Sequence, residues 1–465
     1  MFACMGAWCC YANECNVHIQ TMEGLMTSAV PFLIPHEVPE PPLLCHAAAH
    51  LLLSLSKNVK FASDPILLLG DLYNHAQRSL HYLEPKTAGV VREALVSLAL
   101  CRGAGAAGGG DAARALVAAW ASMLPTAGPV VALPPLTQLL HAFAGASTNA
   151  KKVIAEGIQG AAEAALRLLC EPAGAGGAGD AAAADTEITD FFLALFTALL
   201  PQLGNFAYTA IDVFLEVAQR SGGDSEGSVE RLVECVRLGV EAGGGGVRVR
   251  AVLALLHAHV LPAARHAPAL ARAAHRLLAS VLVHRWRYFF PNKCEGEEGA
   301  RRANELRGAL AAVGRALLLP DIELLRISIN TLDVLNNKWK LYHKALFRAE
   351  FMCEFLSVLV SGLGAGGAAA LVRDEALAAV HAMAAVDFAA FRHGFLPRYL
   401  PPHAAPLLQN FPPDTDLPTF TQNIQKLIND VNCYQAYNSL ASMDMVSSTD
   451  MVSSSDMVSS TDMVS

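Results

Sequence analysis

The sequence contains few charged residues, and its beginning contains no basic residue at all. Charged residues make up 16% of the 465 positions, whereas an average globular protein has about 25%. The first lysine or arginine is Lys57. Because a secretory signal needs a positive segment and a mitochondrial presequence needs arginines, the start of the chain fits neither. The net charge of −8 also lacks the basic excess typical of nucleic-acid-binding domains, and we predict no nucleic-acid partner.

Long uncharged stretches occur in the chain, but residues that break helices interrupt them. Residues 115–150 contain four prolines, and residues 191–211 contain Pro201 and Gly204 near their middle. Breaks of this kind would leave backbone polar groups unpaired in the hydrocarbon of a bilayer. We therefore predict no membrane insertion and interpret both stretches as helices joined by turns.

Motifs for metal binding and catalysis are missing as well. The eleven cysteines form no Cys-x-x-Cys pair, although four of them cluster within the first fifteen residues. His46 and His50 lie one helical turn apart, but Ala47 stands where a zinc protease has glutamate. Three glycine-rich loops match G-x-G-x-x-G, yet the first of them follows a helical pattern and not the strand that a dinucleotide site needs. We predict no enzyme activity, no cofactor and no metal site.

Helical periodicity runs through most of the sequence. Ile188, Phe192, Leu195 and Leu199, for example, fall on one face of a helix. About sixteen such segments follow one another, and taken in pairs they repeat roughly every 45–50 residues, close to the spacing of HEAT and armadillo units. This pattern predicts an all-α fold, a HEAT/armadillo-like helical-repeat solenoid (an α-α superhelix). A bundle-like all-α protein is the alternative.

The composition divides the chain into three parts. Residues 1–41 form a leader that we expect to be unstructured or wrongly predicted from the gene, and residues 42–437 carry the helical repeats. Residues 438–465 are dominated by a six-residue repeat that begins at Asp444, Asp450, Asp456 and Asp462. Since one charge and three hydroxyls per repeat cannot build a core, we expect this tail to be disordered.

One basic stripe is a candidate protein-docking site. Lys340, Lys344 and Arg348 are spaced i, i+4 and i+8, beside an apolar face that includes Trp339 and Tyr342. The stripe is either an ordinary solvated face or a docking strip for an acidic protein surface, because complementary charge speeds association and selects partners. RNA binding is the weaker alternative, since the aromatic residues occupy the buried face of the predicted helix.

Several unusual motifs after about residue 280 are similar to one known family. They include the segments 284–290 (HRWRYFF), 340–344 (KLYHK), 385–388 (AVDF) and 416–423 (DLPTFTQN). These segments resemble the C-terminal half of the exportin-6 family, nuclear export receptors of the importin-β (karyopherin) superfamily. Weaker similarity extends upstream to about residue 45.

The resemblance implies a helical-repeat receptor that carries protein cargo out of the nucleus together with Ran-GTP. It further implies actin, with profilin, as the cargo, contact with nuclear pore proteins, and shuttling between nucleus and cytoplasm. Receptors of this superfamily bind Ran chiefly through an N-terminal repeat block, and we expect the present chain to begin after that block. The resemblance assigns no residue here to Ran or cargo contacts. A helical-repeat interaction scaffold without a transport cycle is the alternative.

Overall fold

The computed structural model describes most of the chain between residues 19 and 433. The described ranges are 19–37, 40–59, 61, 64–101, 109–170, 178–220, 226–243, 248–290, 296–365, 371–400 and 416–433. Every regular element within these ranges is a helix. The chain forms two units, Met1–Leu277 and Leu278–Ser465. The predicted tail and the N-terminal cysteine cluster lie outside the described residues.

The first unit is a succession of helices. In chain order they are α1 Ile19–Ala29, α2 Pro42–Asn58, α3 Pro65–Leu68, α4 Gly70–Arg78, α5 Pro85–Leu100, α6 Gly109–Ala121, α7 Leu124–Ala127, α8 Pro129–Ala142, α9 Thr148–Cys170, α10 Ala178–Leu199, α11 Asn205–Arg220, α12 Glu226–Glu241, α13 Val249–Leu255 and α14 Leu261–Ala263. A 3-10 turn follows α1 at Val30–Leu33, and a π-helical turn, Leu256–Val260, joins α13 to α14. The helix α15, Pro268–His284, contains the division between the units.

Helices of the first unit pack mainly against helices two or three positions away in the chain. The principal pairs are α2 with α5, α6 with α9, α8 with α10, and α10 with α12. The face predicted for α10 is buried at all four positions, from Ile188 to Leu199. The ring of Phe192 lies 5.0 Å from that of Phe214 on α11. This layered pairing buries the apolar stripe of each helix between neighbours and confirms the all-α helical-repeat prediction.

The leader differs from the sequence expectation over the residues that the structure describes. There α1 and the following 3-10 turn pack against α2. Met22 and Met26, one helical turn apart, are buried, and the Tyr82 hydroxyl donates to the Leu33 carbonyl at 3.0 Å. Burial of two methionines on one face stabilises α1. The composition of the leader gives no indication of this helix.

The second unit is also helical throughout its described part. Its helices are α16 Trp286–Phe289, α17 Glu297–Ala316, α18 Ile322–Trp339, α19 Ala345–Glu350, α20 Met352–Ala365, α21 Arg373–Ala384, α22 Phe388–Ala390, α23 Leu396–Tyr399 and α24, residues 417–433. A 3-10 turn, Leu341–His343, follows α18, and a π-helical turn, Phe391–Phe395, precedes α23.

Helix ends in the second unit follow the capping chemistry of the sequence. The Asp321 carboxylate accepts hydrogen bonds from the backbone N–H groups of Glu323 and Leu324, which starts α18. The Asp416 carbonyl accepts from Phe420 N at 2.9 Å, so the last helix begins where the sequence predicts it. Helices α20 and α21 pack together, and α21 also contacts α18. None of the helices in the described ranges combines the length and apolarity needed to cross a bilayer.

Candidate protein-docking surface

The three residues of the predicted basic stripe do not lie on one helix. Helix α18 ends at Trp339, and Lys340 has left-handed backbone angles, φ 55° and ψ 48°. Lys344 is extended and precedes α19, which carries Arg348. The assumption of a continuous helix through Lys340, Lys344 and Arg348 was therefore wrong.

Buried apolar side chains hold the chain in place after this break. Leu341 and Tyr342 are both about 1% exposed, and Phe347 is fully buried. Both side chains belong to the 3-10 turn that follows the break, so the turn is anchored in the core of the unit. The Asn336 side chain supports the turn, because its Oδ1 accepts from Tyr342 N at 3.4 Å.

Two stacked tryptophans support the surface beside the break. The rings of Trp286 and Trp339 lie 6.3 Å apart with an interplanar angle of 15°. The Trp339 indole Nε1 donates to the Val283 carbonyl at 3.3 Å, which fixes the ring. Phe290 lies 5.0 Å from Trp286, yet 41% of it is exposed. A large aromatic side chain is thus presented to solvent on a rigid aromatic base.

Lys344 lies over this exposed ring. Its Nζ is 5.6 Å from the Phe290 ring centroid, within the range of a cation–π contact. Lys340 is exposed. Within the part of the chain that the structure describes, neither lysine has an ion-pair partner. We call Phe290, Trp339, Lys340 and Lys344 the basic–aromatic surface.

Arg348 differs from the two lysines because it already forms an ion pair with an acidic side chain. Its Nη2 lies 3.5 Å from Asp387 Oδ2. A second arginine, Arg307 on α17, makes two hydrogen bonds with Glu350 at 2.7 and 2.8 Å, and this pair holds the pKa of Glu350 below its ordinary value. These pairs join α19 to its neighbours, so Arg348 serves the fold more directly than it serves a partner.

Tyr342 is a core residue and is not available for docking. Its hydroxyl is buried without a hydrogen-bond partner in the described structure. Burial raises the pKa of Tyr342 above its ordinary value, and Asp333 adds to the rise. Its ring packs 5.4 Å from Phe347. Stacking of a nucleic-acid base on Tyr342 is therefore impossible without unfolding the turn.

Sequence reasoning identified Lys340 and Lys344 but missed Phe290 as an exposed part of the same surface. In the sequence, Phe290 is distinctive only as part of the motif at 284–290. Nothing in the local pattern shows that its ring meets Lys344, because the two are more than fifty positions apart and only packing brings them together.

The histidine pair at the start of α2 has ordinary hydrogen-bond partners. His46 Nδ1 lies 3.2 Å from Thr87 Oγ1, and His50 Nε2 lies 3.1 Å from His46 Nε2. In the residues that the structure describes, no group of three or more His, Cys, Asp or Glu side chains is arranged to hold a metal ion.

Comparison with known proteins gives one consistent result. Residues 282–438 match the family model of exportin-6, C-terminal TPR repeats. Exportin-6 of Homo sapiens is 30% identical over 338 residues, which cover 66% of this chain and 29% of the human protein. Exportin-6 of Danio rerio is 29% identical over 339 residues, covering 65% and 29%. Exportin-6-B of Xenopus laevis is 32% identical over 280 residues, covering 54% and 24%.

These matches confirm the resemblance drawn from the motifs. The chain spans about 29% of the length of the human and zebrafish relatives. The basic–aromatic surface lies within the range matched by the family model. The family description names TPR repeats, which like HEAT units are stacked pairs of helices.

Proposed function

We propose that this chain, with its likeness to exportin-6 over about two thirds of its length, is part of a nuclear export receptor that binds protein cargo. The family-model match over residues 282–438 is the observation that carries this proposal. The succession of packed helix pairs supports it, since stacked pairs create extended surfaces for folded partners.

The finer proposal concerns the partners. Cargo binding depends on Ran-GTP, the cargo is actin or profilin–actin, and the receptor contacts nuclear pore proteins while shuttling between nucleus and cytoplasm. Residues 42–437 form the repeat array that provides the binding surface. Likeness to exportin-6 supports these points. If Ran-GTP and cargo bind the same conformation, each raises the affinity of the receptor for the other by linkage.

The basic–aromatic surface is the part of this chain that we propose contacts an acidic area of the cargo. Lys340 and Lys344 supply positive charge that no acidic side chain among the described residues pairs with. Phe290 supplies apolar area that is already held in place by Trp286. An aromatic side chain fixed before binding loses little conformational freedom on association, and such residues dominate the binding energy of many interfaces.

Co-precipitation with the full-length gene product tests the proposal. The immobilised protein is incubated with profilin–actin and with Ran locked in the GTP state, with Ran-GDP, or without Ran. We expect at least about tenfold more cargo with the GTP state, within the usual range of coupling between two ligands. Equal retention under all three conditions would instead indicate a helical-repeat scaffold without a transport cycle.

A further inference from the structure

A cleft in the first unit contains a charged side chain for which the described residues supply no ion-pair partner. The cleft has a volume of about 400 Å³. Residues from the start of α5, the end of α6 and the first half of α8 line it, and most of its wall is apolar, including Leu83, Trp120 and Met123. Val130 and Val131, at its rim, are 47% and 61% exposed.

Arg92 is the cation in this wall. The carbon of its guanidinium lies 5.8 Å from the centroid of the Trp120 ring. Its Nε is buried without a hydrogen-bond partner, and among the described residues the guanidinium forms no ion pair. Burial lowers the pKa of Arg92 to about 10, so the group still carries its charge at neutral pH. A largely buried charge without a partner is unfavourable, and a bound carboxylate would supply the missing acceptor through paired hydrogen bonds.

The wall of the cleft also includes two residues whose backbone carbonyl groups have lost their α-helical donors. Pro134 and Pro135 lie inside α8 and have no N–H group. The carbonyl groups of Val130 and Val131, four residues earlier, therefore lack their α-helical donors. All four residues line the cleft. A peptide could donate its own backbone N–H groups to these carbonyl oxygens.

We propose that this cleft binds a peptide segment of a partner protein in which a glutamate or aspartate lies next to bulky apolar side chains. The carboxylate pairs with Arg92, the apolar side chains pack against Trp120 and the exposed Val131, and peptide N–H groups donate to the carbonyl oxygens of Val130 and Val131. The mixture of one cation, apolar walls and backbone acceptors favours a peptide over a small carboxylic acid. The inference rests on the geometry of the cleft, which lies outside residues 282–438, and does not assume nuclear export.

Fluorescence anisotropy with a labelled probe peptide tests the proposal on the full chain. The probe is an amidated tetrapeptide, Leu-Glu-Leu-Phe, and the comparison peptide has glutamine in place of glutamate. We expect the glutamate peptide to bind about tenfold more tightly, which is the effect of one charge-assisted hydrogen-bonded pair. Arg92→Gln should make the two affinities equal.

Two further variants separate binding from folding. Lys86→Gln removes the same charge from an exposed position of α5 outside the cleft, and it should leave the preference for glutamate unchanged. Val131→Glu places a negative charge on the exposed rim and should weaken binding of the glutamate peptide without loss of helicity. Equal affinity of the two peptides for the unmodified chain, or no binding of either, would overturn the proposal. Binding of hexanoate at Arg92 without binding of the peptide would also overturn it and assign the cleft to small carboxylic acids.

Discussion

The Arg348 guanidinium and the Asp387 carboxylate form an ion pair in the second unit, with 3.5 Å between Nη2 and Oδ2. Asp387 Oδ1 also accepts from Ala390 N at 2.9 Å, so this carboxylate starts α22 while it holds α19. Both side chains are substantially exposed, and such a pair contributes only about 0–1 kcal/mol. The pair nevertheless distinguishes Arg348 from Lys340 and Lys344, whose charges have no acidic partner among the described residues.

Reversal of the two lysine charges should weaken cargo binding. We expect Lys340→Glu combined with Lys344→Glu, in the full-length gene product, to reduce affinity for profilin–actin about tenfold and to flatten its dependence on salt. The attraction between the lysines and an acidic cargo area becomes a repulsion after the change. Salt screens the attraction in the unmodified protein and the repulsion in the variant, so the two contributions to the salt dependence have opposite signs. Affinity measured at two ionic strengths checks the expectation.

Arg348→Gln is the matched control for that experiment. It also removes positive charge from the predicted stripe, but it breaks a pair that is internal to the unit. Its effect on cargo affinity should be within about twofold, because Arg348 is already neutralised. A larger loss with Arg348→Gln than with the lysine reversals would place the docking site elsewhere.

The left-handed backbone at Lys340 predicts that glycine stabilises this position. Residues with a β-carbon are strained in that conformation and glycine is not, so Lys340→Gly should raise the free energy of unfolding by about 0.5–1 kcal/mol. Lys338→Gly, two residues earlier and within α18, should lower it by up to about 1 kcal/mol. Urea denaturation of both variants measures these changes. A loss of stability at position 340 would indicate that the helix continues through it.

Much of the fold follows from sequence periodicity, while the break at Lys340 does not. Regular apolar spacing is sufficient to predict α10, because the residues with that spacing, such as Phe192 and Leu195, are the ones that the fold buries. Asp416 and Pro418 similarly indicated the start of the last helix. At Lys340 no glycine or proline marks the turn. The turn is held by burial of Leu341 and Tyr342 and by the hydrogen bond from Tyr342 N to Asn336 Oδ1, and these contacts leave no signal in the local spacing.

The candidate surface was predictable only in part, because its contacts join residues that are far apart in the sequence. Charge spacing drew attention to Lys340 and Lys344, but Arg348 pairs with a residue 39 positions away. Contacts of that kind are set by the packing of the helices and leave no periodic signal. Sequence alone therefore identified the charges and could not show which of them are neutralised.

The aromatic contact between α10 and α11 predicts a large effect on stability. Phe214 is fully buried and contacts both Phe192 and Phe196. Phe214→Ala should lower the free energy of unfolding by about 3–5 kcal/mol, through lost burial and the cavity that remains. Leu43→Ala is the control, since Leu43 is 85% exposed and its loss should cost less than about 0.5 kcal/mol. Similar denaturation midpoints for the two variants would contradict the packing described here.

Cysteine reactivity should follow burial. Burial raises the pKa of the Cys235 thiol well above its ordinary value, and the neighbouring Glu234 charge adds to the rise. Because the thiolate is the reactive form, Cys235 should resist alkylation near pH 8, whereas the exposed Cys353 should react. Mass spectrometry of the folded chain after a short iodoacetamide treatment provides the measurement. Modification of Cys235 at the rate of Cys353 would show that α12 is not packed as described.

The nuclear-to-cytoplasmic ratio of actin in cells depleted of the full-length gene product tests the proposed export function most directly. We predict that depletion raises this ratio, that the unmodified protein restores it, and that the Lys340→Glu, Lys344→Glu variant restores it poorly at equal expression. An unchanged ratio after depletion would contradict export of actin by this protein.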